Sequence, residues 1–148
     1  MPATLAVTKG ISILREHGPA ILNTTYRDVA AKKDRPRLQG PAGSHKSGND
    51  PQIQGRAIDI ILFANIENER VVADKIVDVF LTVREQMKWL AVVYNKKQWN
   101  WAGQEFPRGG DLISQHITHI HIEWAMAFAA QATWEQALND ELKARNWG

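Results

Sequence analysis

His116-Ile117-Thr118-His119-Ile120-His121-Ile122-Glu123-Trp124 holds three of the chain's five histidines within six positions. Successive side chains of an extended strand alternate faces, so His119, His121 and Glu123 share one side while Ile120, Ile122 and Trp124 share the other. Such a strand has a polar face and a packing face. It predicts a sheet covered on one side only. Imidazole is the commonest protein ligand for metal ions, and a zinc site gathers its ligands from several segments.

Upstream, Gly55-Arg56-Ala57-Ile58-Asp59-Ile60-Ile61-Leu62-Phe63 is a strongly apolar strand interrupted by one carboxylate. Alternation groups Ala57, Asp59 and Ile61 apart from Ile58, Ile60 and Leu62, so Asp59 points away from the more apolar side. A buried carboxylate is costly without a partner. Residues 71–87 carry Val72, Ile76, Val79, Phe80 and Val83 at helical spacing and predict an amphipathic helix covering a sheet. Residues 4–17 predict a less regular helix, ended by Gly18-Pro19. Strands are expected over 20–27 and 89–95, a long surface loop over 28–51, and an irregular loop over 96–111. Residues 125–145 predict a closing helix broken near Thr133, where the threonine would cap a new turn. The pattern is α+β: an antiparallel sheet with helices packed on one face, one domain over residues 1–148.

A chain of 148 residues can bury a core without disulfides or a structural metal, so any zinc here points to catalysis. The absence of cysteine excludes thiolate ligands and a cysteine nucleophile. A net charge of +2 is too mild to imply nucleic-acid binding. Met1-Pro2-Ala3-Thr4-Leu5 lacks the basic start and apolar core of a signal peptide, and no run of about 18 apolar residues could span a bilayer. The expectation is a soluble protein with no membrane or nucleic-acid partner.

Asp59 and His121 sit on the polar faces of two strands, and His45 lies in the loop feeding the first. Together they make a His, Asp, His zinc set. Three protein ligands plus a water is the catalytic pattern, in which the metal acidifies the water and polarises a carbonyl. His119 shares a face with His121, and His116 precedes it; either could take the proton.

These residues resemble the zinc peptidases that include D-alanyl-D-alanine carboxypeptidases, penicillin-insensitive murein endopeptidases and the hedgehog domain. His45-Lys46-Ser47-Gly48 and Gly55-Arg56-Ala57-Ile58-Asp59 are similar to the halves of that family's Ser-x-His-x-x-Gly-x-Ala-x-Asp pattern, with a seven-residue insertion between them and Gly43 in place of the serine. His116, His119 and His121 have the His-x-x-His-x-His spacing of the murein endopeptidase branch. Thr25-Tyr26-Arg27 is similar to the family's Tyr-Arg segment, and the stretch from Leu90 through Arg108-Gly109-Gly110 resembles the carboxy-terminal domain of actinobacterial cell-wall proteins. Thr118 occupies the position of the carboxypeptidase branch's catalytic Glu, which implies a histidine base. The resemblance implies a zinc metallopeptidase acting on peptidoglycan stem or cross-link peptides. His45, Asp59 and His121 would bind Zn2+, His119 would be the general base with His116 beside it, and Arg27 would stabilise the carbonyl oxygen. Its place of action would be the cell wall, reached through phage lysis or a secretion system; a monomer is expected.

Two other readings are open at this level. One is a catalytically inactive zinc-binding or cell-wall-binding module of the same fold. The other is a nucleic-acid or glycan binder built on Lys96-Lys97-Gln98-Trp99-Asn100-Trp101, whose aromatic faces and cations could stack on rings.

Overall fold

The computed structural model describes residues 4–22, 38–39, 55–109 and 116–147. Among these residues six strands form one sheet: β1 (Leu38–Gln39), β2 (Ala57–Ile61), β3 (Ala91–Tyr94), β4 (Lys97–Asn100), β5 (Glu105–Pro107) and β6 (His119–Glu123). Five helices accompany them: α1 (Leu5–Leu22), α2 (Glu67–Thr82), α3 (Arg84–Met87), α4 (Met126–Ala129) and α5 (Glu135–Ala144). The strand order is β1-β2-β6-β3-β4-β5, and every neighbouring pair is antiparallel. The fold is therefore α+β, as the alternation predicts. Although β6 comes last in the chain, it is central in the sheet and pairs on both edges.

The alternation of β2 and β6 sorts their side chains as expected. Ile58, Ile60, Leu62, Ile120 and Ile122 are buried with Val92 and Tyr94 in the core cluster, together with residues of α1, α2 and α5. Fully burying each large aliphatic side chain contributes roughly 1.5–3 kcal/mol, and this face supplies most of that driving force. Trp124 continues it, stacked on Trp134 at 5.8 Å with its indole N–H donating to the Met87 carbonyl at 3.0 Å. Trp89 likewise donates to the Phe80 carbonyl at 2.9 Å, so the Trp89 and Trp124 indole N–H groups are both satisfied.

The structure departs from the sequence expectations at several elements. α1 continues through Gly18 and Pro19 to Leu22, so the strand expected from residue 20 does not begin there. Proline removes one intrahelical hydrogen bond, and in the closing turns of an 18-residue helix that loss does not end it. Residues 23–27 lie outside the described residues, and the expected loop over 28–51 contains β1 at Leu38–Gln39. The helix expected over 71–87 starts earlier, at Glu67, and breaks at Val83 into α2 and α3. Glu67 and Glu69 suit the positive end of the α2 dipole, and buried Glu69 also accepts the Phe63 N–H at 3.1 Å. The expected loop over 96–111 holds the β4–β5 hairpin. The break in the closing helix falls as expected, but Trp134 rather than Thr133 precedes α5 and no side chain caps it. His17 lies inside α1 and bonds Asn139 of α5 at 2.7 Å, joining two covering helices.

Candidate metal and proton-transfer site

The face of the sheet away from the helices carries the polar residues. Antiparallel register places Asp59 of β2 directly opposite His121 of β6, with Ile61 opposite His119 and Ala57 opposite Glu123. Side chains opposite each other across two strands stand within reach, so register alone brings the carboxylate and imidazole together. His121 Nδ1 lies 3.1 Å from Asp59 Oδ1, and its Nε2 lies 3.0 Å from Glu123 Oε1. The imidazole is thus held between two carboxylates and is 8% exposed. His119 Nε2 approaches the same Asp59 oxygen at 3.7 Å, while the Thr118 hydroxyl oxygen sits 2.9 Å from His119 Nδ1. The His116 ring completes the cluster, with its centroid 4.8 Å from that of His119 and 5.5 Å from that of His121.

His116 reaches this place through an uncommon backbone conformation, φ 52°, where its carbonyl accepts the Asn95 N–H at 2.9 Å. A non-glycine residue in the left-handed region is held there by its surroundings, and such positions concentrate at functional sites.

The electrostatics follow from this packing. Burial pushes His121 down, but hydrogen bonds to Asp59 and Glu123 and their charges outweigh it, so its pKa is pushed up to about 9. Burial pushes Asp59 up, yet the His121 hydrogen bond and the charges of His119, His121 and His116 hold it below the ordinary carboxylate value. At neutral pH the pair is thus an imidazolium beside a carboxylate.

Imidazole and carboxylate are both zinc-ligand types. Four donors about 2.0–2.1 Å from a zinc ion stand roughly 3.3–3.4 Å apart. The two expected ligands among the described residues, Asp59 Oδ1 and His121 Nδ1, stand 3.1 Å apart, a little inside that edge. Zinc-binding histidines commonly donate their other ring N–H to a carboxylate, the relation Glu123 has to His121. Among the described residues no three His, Asp or Glu side chains close by themselves into a group able to hold a metal ion. The third expected ligand, His45, and the expected oxyanion partner, Arg27, lie outside the described residues.

Of the expected site residues, Asp59, His121, His119 and His116 therefore meet in one cluster. Two contributors lay outside the expected site set: Glu123, whose place two residues after His121 puts it on the same face, and Thr118, whose hydroxyl bonds the His119 ring. Trp99 packs partly buried against the core, and Trp101 is 67% exposed. No family model matches this chain, and no curated protein or solved structure is detectably similar to it.

Proposed function

We propose that the chain is a zinc-dependent hydrolase that cleaves amide bonds in peptidoglycan stem or cross-link peptides. The observation that carries the reading is the 3.1 Å meeting of Asp59 and His121, two expected ligands 62 residues apart in sequence. His45, Asp59 and His121 would hold the zinc. Bound there, the ion would supply an acidified water and a Lewis acid for the scissile carbonyl.

The chain's own residues divide the remaining work. Glu123 accepts from His121 Nε2 and so fixes the ring, leaving Nδ1 for the ligand side. His119 takes a proton at Nε2, with Thr118 bonded to its other nitrogen and Asp59 Oδ1 3.7 Å away. His116 packs against both histidines and adds a second imidazole within the cluster. Arg27 contributes positive charge to the carbonyl oxygen, a role that rests on the resemblance of Thr25-Tyr26-Arg27. The substrate class rests on the same resemblance, and places the protein's action at the cell wall.

The test is to measure zinc content and release of soluble peptidoglycan fragments on one sample. Wild type should hold one zinc per chain and release fragments; Asp59→Asn should do neither.

One observation favours a second reading, the inert module. Both ring nitrogens of His121 are taken by carboxylates, an arrangement that also satisfies a purely structural buried ion triad. Zinc bound without any turnover would select it.

A further inference from the structure

A concave site lies where α3, the β4–β5 turn and α4 meet, lined by none of the histidine-cluster residues. Its volume is about 680 Å³. That falls within the range of about 300–1,000 Å³ typical of small-molecule sites. Its walls are apolar and accessible: Trp101 is 67%, Leu90 40% and Phe128 38% exposed. Two cations face it. The Lys88 ammonium stands 5.3 Å from the centroid of the Phe128 ring, and Arg84 donates one guanidinium N–H to the Leu81 carbonyl at 2.8 Å. Among the described residues neither cation forms an ion pair with a carboxylate. Glu85 is the one acidic residue of the lining, against these two bases, so the site keeps an excess of positive charge.

The walls are built rather than accidental. Asn100 Oδ1 accepts the N–H groups of Ala102 and Gln104, each at 3.0 Å, which locks the turn that presents Trp101. Gly103 in that turn has φ 81°, and a Cβ there would come within 2.9 Å of Arg84 Nε, so the turn sits directly on the guanidinium. Lys88 has φ 57° in the left-handed position that closes α3, where glycine is the favoured residue. A lysine there carries a backbone cost, and its ammonium faces the pocket.

We propose that this pocket binds a small amphipathic anion, a flat apolar ring between Trp101 and Phe128 bearing a carboxylate or sulfonate that pairs with Lys88 and Arg84. Indole and phenyl faces supply contact area, and a charge-assisted hydrogen bond supplies the orientation. The site stands apart from the histidine cluster and does not depend on the hydrolase reading.

The probe is anilinonaphthalene sulfonate, titrated into the folded full-length protein by fluorescence, with neutral phenylnaphthylamine as the comparison. Wild type should bind one sulfonate probe per chain saturably, and more tightly than the neutral amine. Trp101→Ala, an exposed change, should weaken the sulfonate probe about tenfold. Lys88→Gly should do the same, about tenfold, while melting at an unchanged or higher temperature because glycine relieves the left-handed backbone. Absence of saturable binding, equal binding of the neutral amine, or unchanged affinity in either variant overturns the proposal.

Discussion

Asp59 of β2 and His121 of β6 face each other across the strand pair, with Oδ1 and Nδ1 3.1 Å apart, and Glu123 holds the far nitrogen of the same ring at 3.0 Å. Removing one member of a buried charged pair strands the rest in a poorly solvated place. His121→Ala, which leaves the Asp59 and Glu123 carboxylates without the imidazole between them, should destabilise the zinc-free protein by about 3–5 kcal/mol. Both His121→Ala and Asp59→Ala should also abolish zinc binding. Denaturant titrations and zinc titrations check the two effects separately.

The pH dependence of the zinc-free protein has a definite sign. His121 is raised from 6.5 to about 9 in the fold, so its contribution is complete below about 6.5 and is lost as pH climbs through 9. Asp59 is lowered from 3.8, so its contribution is complete above about 4 and is lost as pH falls through its lower folded value. Between these two groups, stability should be greatest from about pH 4 to 6.5, falling on the alkaline side by at most about 1.4 kcal/mol per unit. Urea midpoints across pH 5–9.5 measure it; Asp59→Asn should flatten the alkaline limb.

A zinc ion held as proposed would compete with the His121 proton for Nδ1, so zinc affinity should rise with pH until about 9, by up to about tenfold per unit. Calorimetry in buffers of different ionisation heat would count the proton released. Affinity independent of pH would place the metal elsewhere.

His119→Ala should keep both zinc and fold, because the packing face of β6 is untouched, and should lose about 10²–10⁴ in rate. His116→Ala should cost less. Arg27→Ala should lower the rate by about 10²-fold or more with zinc content unchanged. Metal loss in His119→Ala would make that residue a ligand and pass the base role to His116.

Ile120 lies between the two histidines in sequence but points the opposite way and is fully buried. Ile120→Ala should therefore cost about 2–5 kcal/mol in unfolding free energy, the scale of a core cavity. The half-denaturation point should move far more than in His119→Ala, the reverse of their order in activity at low denaturant.

How much of this was legible in the sequence differs by element. The two strands that carry the site were readable because strict alternation separates Asp59 from Ile58 and Ile60, and His121 from Ile120 and Ile122. Their adjacency was not, since antiparallel register between segments 62 residues apart depends on the whole sheet. The β4–β5 hairpin was hidden because its strands are short and mostly polar, and β4 itself because the β3–β4 turn is made by Asn95 and Lys96, φ 49° and 67°, without the glycine that usually marks such a turn. Glu123 was visible on the polar face, but the ring nitrogen it would hold could be read only from coordinates. Pro19 misled because a breaker's effect depends on where in the helix it falls.

Mass spectrometry of purified peptidoglycan incubated with the zinc-loaded protein tests the central claim most directly. Stem or cross-link peptides gaining the mass of one water at an amide bond, absent with Asp59→Asn, are the predicted result. A protein carrying one zinc per chain that leaves every peptide intact would contradict it.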